Sequence, residues 1–277
     1  MNDLASAIEN NVAAALAEDI GSGDRTAQLV AAGAHATASV VCRRAAVLCG
    51  GPWFDACFRK LDPGVTIDWQ VNEGSAIKPG QKLCTVRGAA RALLTAERTA
   101  LNFLQTLSAV ATATRRYVDA TAGTNARIVD TRKTLPGLRS AEKYAVRAGG
   151  GVNHRMGLFD GILIKENHIA AAGGIVAALR EAARVAPPGV WIQTEVENLE
   201  QLRDALAAGA KMILLDNMSP AQMREAVNIA AGRAELEASG GITLENVRTI
   251  AATGVDRISI GSLTKDIEAV DLSMRFE

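Results

Sequence analysis

From residue 127 onward the chain repeats one rhythm: a short apolar run, a helical stretch, then another apolar run. The runs are RIVDT, GILIK, WIQTEV, KMILLD, ELEAS and RISIG. Between them lie AEKYAVRAG, IVAALREAARVA, LEQLRDALAAG, AQMREAVNIAA and LENVRTIAATG. This alternation constrains the fold more than anything else in the chain. Parallel neighbours cannot be joined by a hairpin, so a helix must carry the chain back across the sheet after every strand. Strands this apolar need cover on both faces. Six strands fall short of the eight that close a (βα)₈ barrel. The expectation is an incomplete, open α/β barrel over residues 121–268, with an open doubly wound sheet as the alternative.

The preceding 120 residues read differently. LASAIENNVAAALAEDI has a helical period and stops at Gly21. TASVVCRRAAVLCG reads as a strand or hairpin, and GPWFDACFRKL as a short helix with Pro near its start. VTIDWQVNEGSAIKPGQKLCTVRG alternates around Glu-Gly and Pro-Gly turns, as antiparallel strands do. A long helix follows, from about Ala90 to Ala120. Residues 1–120 are thus expected to form a separate α+β domain. On the long helix Leu93, Leu94, Leu101, Leu104 and Ala111 share one face, with Glu97 in its middle and Arg98 at its edge. Periodicity alone favours an ion pair for Glu97 and a solvated Arg98.

Lys plus Arg and Asp plus Glu each number 30. A nucleic acid or a membrane surface is therefore not expected as the main partner, and any cation cluster is local, which suits a small anionic ligand. Cys42, Cys49, Cys57 and Cys84 form no CxxC pair and read as reduced, buried thiols rather than zinc ligands. MNDLASAIENN has neither a basic start nor an apolar run, so no signal peptide is expected and the location expected is cytoplasmic.

Barrels of this class carry their chemistry at the C-terminal ends of the strands. There the sequence places Arg132 and Lys133 after RIVDT, Lys165 after GILI, Glu195 in WIQTEV, Asp216 after MILL, Ser239-Gly240-Gly241 after ELEA, and Gly261-Ser262 after RISI. Arg139 follows in VDTRKTLPGLR, and His154 and Arg155 lie in the Gly-rich approach to the second strand. SGGITLENV reads as a Gly-rich turn before a helix, with Thr243 as N-cap. Such a turn lets a phosphate approach free backbone N–H groups, although it can also be only a turn. Glu195 and Asp216 suit Mg²⁺, sugar hydroxyls, or ion pairs with Lys165 or Lys211. No convincing nucleophile, Ser-His-Asp set or metal-ligand cluster stands among these residues. Cation excess without a nucleophile points to anionic substrates that need positioning and charge stabilisation, such as a sugar phosphate and a polycarboxylate.

TAERTALNFLQTLSAVAT, VDTRKTLPGLR, AEKYAVRAGGGVNHRMGLFDGILIKENHI, EVENL, ILLDNM, EASGGITLENV and DRISIGSLT together resemble the quinolinate phosphoribosyltransferases. EDIGSGDRT and AVDLSMRFE fit as well, so the resemblance spans the whole chain. It implies an N-terminal α/β sandwich, an incomplete barrel of the type II phosphoribosyltransferase kind, and a strand at about 269–277 that returns to the first domain. The implied reaction joins quinolinate and phosphoribosyl pyrophosphate to give nicotinate mononucleotide, CO₂ and pyrophosphate with Mg²⁺, a step of de novo NAD biosynthesis.

By the same resemblance Arg98, Arg132, His154, Arg155 and Lys165 line the pocket for the quinolinate carboxylates. Lys133 and Lys165 face the phosphates. Glu195 and Asp216 lie by the ribose hydroxyls and the metal, directly or through water or substrate. Lys133, Lys165, Glu195 and Asp216 are the catalytic candidates, and Ser239, Gly240, Gly241 and Gly261 hold the 5′-phosphate. Glu195 is preferred over Glu197 because it is nearer the strand end. The resemblance also implies a homodimer in which Arg98 completes the neighbour's site, and leaves dimer against hexamer open. Two rivals are a phosphoribosyltransferase-fold relative with another acceptor, such as those encoded beside molybdate transporters, and a lipoyl-type binding module suggested by VNEGSAIKPGQKL. The full cation set argues against the first, and the lack of a Lys at that hairpin tip against the second.

Overall fold

The structure is a computed structural model that describes residues 4–277. The chain divides into two compact units. The first runs to Arg115 and adds Thr134–Gly150 and Leu263–Glu277, and the second comprises Arg116–Lys133 and Gly151–Ser262.

In the first unit, helix α1 (Leu4–Ile20) precedes an antiparallel sheet made of β1 (His35–Cys42), β3 (Thr66–Trp69), β5 (Lys82–Ala89) and β12 (Leu272–Phe276). The strand order is β12-β1-β5-β3. The stretch that reads as a strand or hairpin is no hairpin: β1 pairs with β12 and β5, and the short β2 (Ala46–Val47) pairs with β4 (Ala76–Ile77) instead. Helices α2 (Gly51–Leu61) and α3 (Ala90–Ala120) pack their apolar faces into one core. Trp53, Phe54 and Phe58 of α2 meet Leu93, Leu101, Leu104 and Leu107 of α3, together with Val40 and Leu83 of the sheet. The Glu73 carboxylate accepts the N–H groups of Gly50 and Gly51 (2.6 and 3.3 Å), which offsets the dipole and the free donors at the start of α2. All four cysteines are buried and free, and burial pushes each thiol up, that of Cys57 to about 12.

AEKYAVRAG forms α4 (Arg139–Ala148), which counts by rhythm as a barrel helix but belongs to the first unit. Its Ala141, Ala145 and Val146 are fully buried in that unit's core. At its end a Cβ on Gly149 would stand 2.5 Å from Ala111 O of α3, so only glycine allows this approach. The segment returning to the first unit begins at Leu263, ahead of residue 269.

Glu142 of α4 is fully buried. Its Oε2 accepts the Leu135 N–H (3.1 Å), whereas its Oε1 has no hydrogen-bond partner among the described residues. Burial raises this carboxyl to about 7, against partial relief from Leu135 and Arg139. A carboxyl raised on folding stabilises the fold at low pH and loses that contribution as pH rises through its folded pKa. Wild-type protein should therefore lose stability between about pH 5 and pH 8 relative to Glu142→Gln. The variant is expected to be about 1–3 kcal/mol the more stable at pH 8, with near-equality at pH 5. Urea unfolding at both pH values tests this, and a pH-independent difference would refute it.

The second unit holds six parallel strands: β6 (Arg127–Val129), β7 (Gly161–Ile164), β8 (Trp191–Val196), β9 (Met212–Asp216), β10 (Glu235–Ser239) and β11 (Arg257–Ser259). Their order is β6-β11-β10-β9-β8-β7. From β7 to β11 each strand lies beside the one before it and the order never reverses. Right-handed crossovers then put the intervening helices on one face of the sheet. These are α5 (Glu166–Ala172), α6 (Ile175–Val185), α7 (Leu199–Ala207), α8 (Pro220–Ala230) and α9 (Val247–Ala251). A doubly wound sheet would reverse at a switch point. Here β6 follows β11, so the gap falls between β6 and β7 and the unit is an open barrel.

Strand register sorts the side chains. Ile213, Leu215, Leu236, Ala238 and Ile258 share one face, and all are buried. Gln193, Glu195, Leu214, Asp216, Glu237, Ser239 and Arg257 fall on the other.

Candidate active site at the strand ends of the second unit

Lys165 follows the last residue of β7, and its Nζ donates to Glu195 Oε2 at 3.0 Å. Lys165 is exposed, whereas Glu195 is only 8% exposed. The carboxylate is thus held inside the strand ends while the ammonium faces outward. Glu197 lies past the strand, exposed, its N–H donating to Gln201 Oε1. Of the two carboxylates in this stretch, Glu195 is the one turned inward.

Asp216 ends β9, with Ser239 of β10 beside it in register. Asp216 Oδ2 accepts from Asn217 Nδ2 (2.8 Å), and Asn217 N–H donates to Ser239 O (3.0 Å) from a left-handed backbone, φ +53°. These bonds draw the two strand ends together. A Cβ on Gly240 would collide with Asn217, and φ there is +99°. Gly241 has φ +58°, with open space where its Cβ would go. The backbone of this turn is therefore bare at Gly241 and closed against Asn217 at Gly240.

Thr243 is not a helix N-cap. The helix starts only at Val247, and Asn246 folds back so that its Oδ1 accepts the Thr243 N–H (2.9 Å). The short Asn carboxamide competes well for nearby backbone donors, and it closes the loop before the helix begins. One strand further, a Cβ on Gly261 would meet Lys133 Cδ at 2.9 Å, so the Lys133 side chain lies over the second glycine turn.

Asp130 ends the RIVD run fully buried. Its Oδ1 accepts the His154 N–H (2.9 Å), and its Oδ2 accepts from Asn153 Nδ2 (2.5 Å). It anchors the turn that presents Arg155, which is 8% exposed and donates from Nη1 to Gly161 O (3.0 Å). Burial lowers the Arg155 pKa. The positive charge of Arg132 lowers it further, and Asp160 offsets part of the effect. Two guanidinium groups thus press on each other at one end of the barrel, an arrangement that a bound anion relieves.

The structure brings together Lys165 with Glu195, Asp216 with Ser239 and Gly240, Lys133 with Gly261, and Arg132 with Arg155. Arg98 and Arg139 belong to the first unit. Arg98 is exposed on α3, and Arg139 Nε donates to Thr134 Oγ1 (3.1 Å). Glu97 is half-buried, and burial pushes its carboxyl up against partial relief from Arg98.

The strand pattern also hides three residues. The buried Gln193, Glu237 and His154 form a polar cluster with the half-buried Arg257. A signal was present, since ELEAS and RISIG carry polar or Gly residues at every second position and WIQTEV has Gln193 and Glu195 two apart. Read as apolar runs, they conceal that period of two.

Against known proteins, residues 24–108 match the family model for the quinolinate phosphoribosyl transferase N-terminal domain, and residues 110–275 match that for its C-terminal domain. A Mycobacterium leprae (strain TN) protein named nicotinate-nucleotide pyrophosphorylase (carboxylating) is 46% identical over 97% of this chain and 96% of its own length. A Nicotiana tabacum protein named quinolinate phosphoribosyltransferase (decarboxylating) 2b, mitochondrial, is 37% identical over 95% of this chain and 80% of its own. A solved structure of the nicotinate-nucleotide pyrophosphorylase from Francisella tularensis superposes with a TM-score of 0.95 at 43% identity, covering 98% of this chain and 96% of that one. Two domain matches in tandem across nearly the whole length, on an open six-stranded barrel with cationic strand ends, place this chain in the quinolinate phosphoribosyl transferase family.

Proposed function

We propose that this chain transfers the phosphoribosyl group of phosphoribosyl pyrophosphate to the ring nitrogen of quinolinate with decarboxylation, forming nicotinate mononucleotide, pyrophosphate and CO₂. The observation that carries this reading is the buried Arg155 guanidinium with the charge of Arg132 beside it. Such a pair suits a small dianion, because Arg matches carboxylate geometry through its fork of donors. Lys165 adds a third cation at the end of β7.

Pyrophosphate departs from the ribose carbon with both electrons of its bond, and positive charge develops on the sugar. The pyridine nitrogen then attacks. The resulting pyridinium accepts the electron pair left when the 2-carboxylate leaves as CO₂, and the ring carbon takes a proton. No covalent enzyme intermediate is needed. Arg132, Arg155 and Lys165 hold the carboxylates, with His154 behind Arg155. Lys133 lies toward the pyrophosphate, and the Ser239-Gly240-Gly241 turn with Gly261 takes the 5′-phosphate.

Glu195 and Asp216 are the protein's candidates for Mg²⁺ or the ribose hydroxyls. No group of three or more His, Cys, Asp or Glu among the described residues could hold a metal ion. Two strand-end carboxylates fit a Mg²⁺ held largely by substrate phosphates, the usual manner for this ion. When bound, the ion would neutralise charge on the departing pyrophosphate. The assembly proposed is a homodimer in which Arg98 serves the neighbour's site, acting in the cytoplasm without nucleic acid. No described helix is long and apolar enough to cross a membrane.

The deciding experiment incubates the protein with quinolinate, phosphoribosyl pyrophosphate and Mg²⁺ and measures CO₂ and pyrophosphate. Equimolar release is expected, and release of neither defeats the assignment. Excess chelator should abolish turnover while leaving the circular dichroism spectrum unchanged. Full activity in chelator would remove Mg²⁺ from the proposal.

A further inference from the structure

Behind Arg155 the barrel interior holds a polar chain that the reaction as drawn does not use. Arg257 Nε donates to Glu237 Oε2 (2.9 Å), and Gln193 Nε2 donates to the same oxygen (3.2 Å). Gln193 Oε1 then lies 2.9 Å from His154 Nε2, and the Arg155 backbone N–H donates to His154 Nδ1 (2.9 Å). Glu237 is 1% exposed, and its Oε1 has no hydrogen-bond partner among the described residues. That oxygen lies 3.7 Å from His154 Nε2. The Trp191 ring stands edge-on to the imidazole, with centroids 5.0 Å apart.

Each link in this chain fixes the next. A carboxylate only accepts, so Gln193 must turn its NH₂ toward Glu237 and its carbonyl toward His154. The carbonyl also only accepts, so His154 must carry its proton on Nε2. Nδ1 is left with a lone pair, which the Arg155 N–H uses. The unpartnered oxygen of Glu237 reinforces the choice by attracting the Nε2 proton. The buried charge of Glu237, midway along β10, therefore reaches the Arg155 backbone through one amide and one imidazole.

We propose that Glu237 and Gln193 are positioning residues: by holding His154 as its neutral Nε2–H tautomer, they seat Arg155 against a substrate carboxylate. This rests on the assignment of quinolinate as substrate, and it gives His154 a task at the Arg155 backbone. An error in the tautomer would leave Arg155 N–H facing a second donor, and the guanidinium would lose its fixed origin.

The test begins with wild-type protein. Its three histidines, His35, His154 and His168, can be separated in ¹⁵N-resolved imidazole spectra by replacing the other two. His154 is expected as a neutral Nε2–H ring at pH 8. A neutral Nδ1–H ring or an imidazolium there overturns the proposal. Glu237→Gln can donate as well as accept, so it should mix the His154 tautomers. It should raise KM for quinolinate about tenfold and change kcat far less, with KM for phosphoribosyl pyrophosphate within about twofold. Gln193→Met keeps the length, removes the amide and should do the same, which guards against one variant failing to fold. A lower Tm with an unchanged tautomer and unchanged KM for quinolinate would reduce the cluster to core filling and overturn the relay. Failure of wild-type protein to consume quinolinate would count against the functional reading alone, because the imidazole spectra judge the relay without turnover.

Discussion

Quinolinate is expected to be used with a kcat/KM about 10⁴-fold above that of nicotinate, measured with the same phosphoribosyl donor. Nicotinate lacks the 2-carboxylate. Arg155 is buried and already destabilised by its surroundings and by Arg132. A ligand that leaves such a group unpaired forfeits the bond and still desolvates the cation. A ratio of that size corresponds to about 5 kcal/mol, within the range seen when a buried polar partner goes unmatched. Arg155→Ala should narrow the gap by destroying quinolinate turnover, with no gain for nicotinate. A ratio near one in wild-type protein would mean that the cations serve phosphates only, and the choice of quinolinate would fall.

Lys165→Met should lower kcat/KM for quinolinate by at least about 10³-fold. Two effects act in the same direction. The substrate loses a cation at the strand ends, and Glu195, 8% exposed with Lys165 Nζ at 3.0 Å, becomes an uncompensated carboxylate facing anionic substrates. Removing the half-exposed cation alone leaves the buried Glu195 carboxylate uncompensated, whereas neutralising both groups removes that penalty. The double variant Lys165→Met/Glu195→Gln should therefore regain much of any lost Tm but little of the lost turnover. Urea unfolding and steady-state kinetics on the two single variants and the double variant give the coupling. Turnover restored in the double variant would mean that Lys165 serves only to neutralise Glu195.

The first-unit elements were legible to different depths. Helix α3 runs from Ala90 to Ala120 as its periodicity implies, because no Pro or Gly interrupts it and its leucines recur on one face. AEKYAVRAG was legible as a helix but not by destination. An amphipathic segment declares that one face is buried, never against what. The close approach at Gly149 and the burial of Ala141, Ala145 and Val146 took α4 to the first unit. Thr243 misled for a local reason, since two residue types that cap helices stood three positions apart and Asn246 closed the loop instead.

At the strand ends, order along the chain determined a great deal. Parallel strands with same-handed crossovers bring every C-terminal end to one side, so Lys165, Glu195, Asp216 and Ser239 fall together on chain order alone. Covalent connectivity and chirality alone require that grouping. Pairing within the group is another matter. That Lys165 meets Glu195, that Asn217 seals Asp216 to the Ser239-Gly240 turn, and that Lys133 lies over Gly261 depend on stagger and on which neighbours share an edge. The interior cluster of Gln193, Glu237, Arg257 and His154 lay further out of reach. Its members come from β8, β10, β11 and the loop before β7, and their bonds depend on the register of adjacent strands and on where the loop folds back, neither of which one strand displays. The sequence alone determined the α/β alternation and the side of the sheet on which the strand-end charges gather, because a local period and a fixed handedness are written along the chain. Only the tertiary structure decided which charges neutralise one another, because that depends on distances of about 3 Å between residues from different strands.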